Sequence, residues 1–194
     1  ILYRTNNGGM TFEPVGALPF EGEFFNDDIG SFFFFDEQNG IVAGEHREGM
    51  FSRTTNGGTS WEINTAPRVF EANDLFFLNP TNGWAVGGDS SNTDGIIQHT
   101  HDGGETWRGT TDDPRPGLGI GGGDLPVVRF DPKNPRIVYS ASIVCWKSTD
   151  GGKTWDGWRG APGGDDYQNI WINPNNPDII LMGADQDAIV TVTS

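Results

Sequence analysis

Short apolar runs with period-two alternation dominate the chain, and no long stretch carries apolar residues at helical spacing. Residues 29–35, 41–44, 50–54 and 61–64 predict one set of four strands, labelled A to D in chain order. The pattern then repeats. Segments 74–78 and 84–86 predict A and B of a second set, 127–130 and 137–141 those of a third, and 169–172 and 179–182 those of a last. Each A–B pair is joined by a turn sequence, DEQNG, NPTNG, DPKNP or NPNNP, whose Asp, Asn, Pro and Gly residues favour tight reversals. The expectation is an all-β chain of antiparallel meanders.

A second punctuation lies between strands C and D. TNNGGMTF (5–12), TTNGGTSW (54–61), THDGGETW (100–107) and STDGGKTW (148–155) are one pattern written four times, every 46–49 residues. The side chains of Asn7, Asn56, Asp102 and Asp150 can accept hydrogen bonds from amides of their own turn, and Gly9, Gly58, Gly104 and Gly152 can adopt positive φ. Phe12, Trp61, Trp107 and Trp155 close each unit and are expected to start strand D with a large apolar face buried between neighbouring sheets. These are structural roles. The pattern resembles the Asp-box, or BNR, repeat, which implies a β-propeller of four-stranded blades. That superfamily includes sialidases, xyloglucan-cleaving hydrolases, sortilin-type receptors and photosystem assembly factors, so the resemblance implies a fold and leaves function open. The stretch from GGGDLP (121–126) through GGDDYQNIWINPNNP (163–177) to GADQ (183–186) is further similar to secreted bacterial glycosyl-hydrolase-like and sortilin-like Asp-box proteins.

The reading is one propeller segment over residues 1–194: strands C and D of a first blade in 1–21, full blades in 22–66, 67–112 and 113–160, and an incomplete blade in 161–194. Seventeen strands are not a multiple of four, so a partial propeller is expected, completed by further blades of a larger chain or by neighbouring subunits. Ile1 in place of an initiator Met reads as a processed or excised chain.

Charge narrows the partners. Twelve Lys and Arg against 27 Asp and Glu give a net charge of −15, which repels nucleic-acid phosphates and anionic lipid. No apolar stretch approaches the roughly 20 residues of a membrane helix, so membrane insertion is not expected. Cys145, the single cysteine, lies in the apolar run IVCW and reads as a buried thiol. With the resemblance, the charge suits a secreted or periplasmic bacterial protein holding a glycan or a protein ligand.

Meander connections alternate between the two ends of a sheet, which puts the A–B turns and the repeated boxes at one end, the bottom. The longer B–C and D–A connections share the top. Acids precede every strand A there: Asp27 and Asp28, Glu71 and Asp74, Asp124, then Asp165 and Asp166. They cap strand ends on one reading and form an acidic channel mouth on the other. As a glycosidase, the chain would use Asp124 with Asp165 or Asp166 as the paired carboxyls, beside glycines that let a polymer approach. As a binding module it would use Asp28, Asp74, Asp185, Gln168 and Gln186, with Tyr167 and Trp158 stacking on sugar rings. Sialidase activity is disfavoured, because the arginine cluster of that family has no counterpart here. No cofactor is implied with certainty. Asp165, Asp166, Asp185 and Asp187 offer oxygens of the kind Ca²⁺ prefers, without the spacing of a recognised calcium loop. His46, His99 and His101 form no metal-ligand pattern, and GLGIGGG (117–123) lacks the strand-to-helix context of a phosphate loop.

Overall fold

The computed structural model describes residues 2–17, 29–44, 50–65, 71–88, 95–117, 126–159, 166–185 and 188–192. Its strands form five antiparallel sheets, each a simple meander in chain order. The first holds β1 (Leu2–Arg4) and β2 (Glu13–Gly16). The second holds β3 (Ile29–Phe34), β4 (Gly40–Gly44), β5 (Met50–Thr54) and β6 (Glu62–Thr65). The third holds β7 (Glu71–Phe77), β8 (Gly83–Gly88), β9 (Gly95–Thr100) and β10 (Arg108–Gly109). The fourth holds β11 (Val127–Asp131), β12 (Asn134–Ala141), β13 (Cys145–Ser148) and β14 (Asp156–Arg159). The last holds β15 (Tyr167–Ile172), β16 (Ile179–Ala184) and β17 (Ala188–Val192).

Successive sheets pack face to face, and their first strands β3, β7, β11 and β15 neighbour one another in that order. This is a segment of a β-propeller, with the first strand of each sheet innermost. Alternation along each strand sends one set of side chains to the preceding sheet and the other set to the following one. Three cores result. Ile41, Ala43 and Phe51 meet Leu75, Phe77 and Trp107; Trp84, Val86 and Ile97 meet Val128, Phe130 and Trp155; Tyr139, Ala141 and Cys145 meet Tyr167, Ile170 and Met182.

The repeated turn has one geometry in its four copies. The first hydroxyl of each, on Thr5, Thr54, Thr100 or Ser148, donates to the Asn or Asp two residues on and accepts from the N–H of Gly9, Gly58, Gly104 or Gly152. The Asn or Asp side chain accepts the N–H four residues on, at 2.9–3.0 Å. Both glycines of each turn have φ between 69° and 90°, where other residues are strained. The first glycine also donates its N–H to the A–B turn of the same sheet, Gly57 to Gln38, Gly103 to Thr81 and Gly151 to Arg136, which ties the two kinds of turn together at one end.

Three sequence expectations need correction. Strand A of the third sheet begins at Glu71 rather than Asp74, and the register slips between Ala72 and Asp74. Asp74 therefore lies within the strand and not before it. The closing aromatics do not start strand D; Phe12, Trp61, Trp107 and Trp155 precede it, free to turn toward a neighbouring sheet. Trp107 and Trp155 are buried, Trp61 is half-buried, and Phe12 is exposed.

Candidate functional site

The inner strands carry one connected polar chain across four sheets. Asp74 Oδ2 accepts from the backbone N–H of Val128 at 2.9 Å and from Arg129 Nη1 at 2.5 Å, while Oδ1 accepts from Ser31 Oγ and from the N–H of Leu75. Arg129 reaches on with Nη2 to Asn169 Oδ1 at 3.4 Å, and its guanidinium lies over the ring of Phe76. Ser31, Asp74, Arg129 and Asn169 sit on β3, β7, β11 and β15, so a single carboxylate and a single guanidinium couple the four inner strands. The Asp74 side chain is nearly buried, and burial of a charge is tolerated there because a partner and three further donors meet it.

Asp74 was a candidate binding residue. The structure gives its two oxygens four donors within the fold, so it acts as a clamp between sheets. Tyr167 was a candidate for stacking on sugars, and that too is corrected. It is 1% exposed, within the core shared with Tyr139 and Ile170, and its N–H donates to Ser142 O. Trp158 lies on β14, the outermost strand of its sheet, half-buried against Tyr139 and flanked by the cations of Lys147 and Arg159. It packs against the core that also holds Tyr167 and Ile170.

Asp166, Gln168 and Asp185 do come together at the top of the last sheet. Asp166 directly precedes β15, Asp185 directly follows β16, and the Asp185 N–H donates to Asp166 O at 3.3 Å. Asp166 has φ 55°, the one positive value at a non-glycine residue among those described. Gln168, Asn169 and Asp185 are exposed and Asp166 is half-buried. Asp28, Asp124, Asp165 and Gln186 lie outside the described residues, as do Asp27, Asp187 and His46. Glu71 opens β7. Among the described residues no three carboxylate, imidazole or thiolate side chains gather as a metal site.

Sequence reasoning overlooked Arg129, Ser31 and Asn169. The signal was present in the pattern: Ser31, Asp74 and Asn169 occupy the same register position of β3, β7 and β15, opposite Ala43, Val86 and Gly183, each three past the strand B residue paired with Thr54, Thr100 or Thr191. A polar residue recurring at an inner-strand position is a reason to look for partners. Also overlooked was a groove of about 640 Å³ at the bottom, between the turns of the second and third sheets, lined by Arg53, Thr55, Ser60, Trp61, Glu62 and Glu105. Arg53 spans it to Glu105 at 3.3 Å.

Titrating groups away from the rim follow their surroundings. Burial raises Asp102, but hydrogen bonds from Thr106, Thr100 and its own N–H outweigh it and hold the carboxyl at about 2. Asp150 is held at about 2 by the Thr154 N–H, with help from the Thr154 and Ser148 hydroxyls against burial. His99 stacks on Trp84 with ring centroids 3.8 Å apart; burial first, and then repulsion from His101, lower it to about 4. Burial pushes the Cys145 thiol well up, away from reactivity.

No protein-family model matches the chain, and no curated protein matches it in sequence. Solved structures do. A GH74 xyloglucanase from Xanthomonas campestris superposes with a TM-score of 0.68 at 16% identity over 98% of this chain and 32% of the enzyme. YCF48 bound to a D1 peptide matches with a TM-score of 0.55 at 18% identity over 86% of this chain and 54% of that one, and YCF48 from Cyanidioschyzon merolae with 0.56 at 15% over 92% and 59%. These similarities are of fold. The chain spans between about a quarter and about three-fifths of the length of these proteins and of the other GH74 enzymes it matches.

Proposed function

We propose that the chain is an Asp-box propeller segment serving as a binding or scaffold module, taking a glycan or protein ligand at its top end. The observation that carries this reading is the chain Ser31–Asp74–Arg129–Asn169, which commits the charged groups of the inner strands to holding the sheets in place. A rigid frame of that kind presents the rim beside it, Asp166, Gln168 and Asp185, at a low reorganisation cost on binding. Carboxylates and side-chain amides there suit a neutral or cationic polar ligand, and a net charge of −15 disfavours an anionic one. A GH74 xyloglucanase and YCF48 bound to a D1 peptide are similar to this chain in fold, and that similarity supports weighing both ligand classes. Export to the periplasm or the exterior belongs to the same proposal.

Calorimetric titration with neutral xyloglucan oligosaccharides and with basic peptides tests the reading. Binding should weaken about five- to tenfold in Gln168→Ala and Asp185→Ala, the loss of one hydrogen bond each. Binding unchanged in both variants refutes the assignment of the rim.

The left-handed backbone of Asp166 favours one second reading, glycosidic cleavage by Asp166 or Asp165 with Asp124. Release of reducing ends from xyloglucan that disappears in Asp166→Asn and Asp124→Asn supports it. Binding without turnover by the unaltered protein removes it.

A further inference from the structure

The groove between the turns of the second and third sheets is built from residues that the repeat itself does not require. Arg53 and Glu62 stand side by side at paired positions of β5 and β6, on the face turned to the third sheet. Thr55, Ser60 and Trp61 line one side, and Glu105 of the next turn lines the other. The turns are held by other groups, Thr54, Asn56 and Gly58 in one and Thr100, Asp102 and Gly104 in the other. At the seam between the third and fourth sheets the matching positions carry His99, His101, Thr106, Trp107, Arg108 and Lys153, none of them a carboxylate. There His99 stacks on Trp84 and His101 meets His99 edge-on at 3.9 Å. A structural need would recur from seam to seam, and the meeting of one guanidinium with two glutamates does not.

Much of the polar capacity in the groove is unspent. Arg53 Nη1 donates to Glu105 Oε1 at 3.3 Å, which leaves the second Glu105 oxygen and further guanidinium N–H groups. The guanidinium is held against Gly103, where a Cβ would come within 3.5 Å of Nη2. Ser60 Oγ accepts from Asn56 Nδ2 and keeps its own O–H to give. The Glu62 carboxylate and the Thr55 hydroxyl have no partner among the described residues, and both residues are exposed.

We propose that this groove is a second ligand site, at the opposite end of the sheets from the top rim, for a short neutral oligosaccharide. Sugar hydroxyls donate and accept at once, so neighbouring hydroxyls are matched by carboxylates and a guanidinium set within one hydrogen-bond reach of each other. A cationic ligand would have to compete with Arg53 for Glu105, and an anionic one would meet two glutamates in a chain of net charge −15. The volume of about 640 Å³ lies within the range of small-ligand sites, about 300–1,000 Å³.

The test uses the full chain with Gln168→Ala and Asp185→Ala already in place, so that the rim does not contribute and the two proposals fail separately. Calorimetry with cellotetraose, mannotetraose and maltotetraose, each up to about 10 mM, should show binding of at least one. That affinity should fall at least about tenfold on adding Glu62→Gln or Arg53→Met, each of which removes a hydrogen bond to a charged group. Glu62 holds no contact of the fold, so its variant remains decisive if Arg53→Met fails to fold. Binding of a neutral ligand should be the same at about 0.05 M and about 0.5 M salt. No binding of any of the three sugars, or an affinity that survives Glu62→Gln, overturns the proposal. So does trilysine binding that falls with salt and is lost in Glu62→Gln while no sugar binds, which would make the groove a docking site for basic peptide.

Discussion

Trp107→Ala tests how the repeated turn is coupled to the cores. The indole stacks on Phe51 of the preceding sheet with centroids 4.4 Å apart and planes 17° from parallel, and meets Phe77 edge-on at 6.0 Å. It is 2% exposed. Removing a side chain so enclosed leaves a cavity that rigid sheets cannot collapse around, and the expected cost is about 3–5 kcal/mol. Aromatic pairing supplies about 0.5–1.5 kcal/mol of that. Trp107 Nε1 has no hydrogen-bond partner among the described residues, so no polar contact with them is lost with it. Phe12→Ala is the internal control. Phe12 closes the same motif with the same local turn, yet is 61% exposed, and its loss should cost under about 1 kcal/mol. Urea titrations at one protein concentration measure both, with the midpoint shifting and the slope constant. If Trp107→Ala costs under about 1 kcal/mol, or Phe12→Ala costs as much as Trp107→Ala, burial between sheets is not what the aromatic contributes.

Asp74→Ala should cost about 3 kcal/mol, because it leaves the Val128 N–H and the Arg129 guanidinium without their acceptor; a double-mutant cycle with Arg129→Met that gives additive losses would dissolve the clamp. Asp102→Ala empties no core but frees the Thr106 N–H and both hydroxyls, for about 1–3 kcal/mol in the same assay, and a neutral result would mean the glycines alone hold the turn. His99 is depressed from 6.5 to about 4, so the unfolded chain binds its proton first, and stability complete above pH 6.5 is lost as pH falls toward 4. Discounted for its solvent exposure, this is on the order of 1–2 kcal/mol, and a His99→Gln variant with the same pH slope between 6.5 and 4 would contradict it. Asp102 and Asp150 add a second loss below pH 3.8, toward 2, which Asp102→Asn should reduce in an acid titration of circular dichroism; an unaltered acid limb would remove the carboxylate from the account.

The strands and turns were legible in the chain because their causes are local. Period-two alternation decides which residues share a face, and the box binds itself through side chains two and four residues apart with paired glycines at positive φ. Even the common end of the boxes and the A–B turns follows from meander connectivity. Contacts between sheets are different in kind. Asp74 looked like a loop acid at a strand entrance, and its role depends on Arg129, 55 residues away. Tyr167 looked like a platform for sugars, and the fourth sheet buries it. Phe12 and Trp107 end the same motif, and only the neighbouring sheet separates an exposed ring from a core one. A repeat sequence writes each sheet in full but writes the faces between sheets only by halves, so what meets Asp74, Trp107 or Tyr167 is set by stacking, which no local pattern encodes.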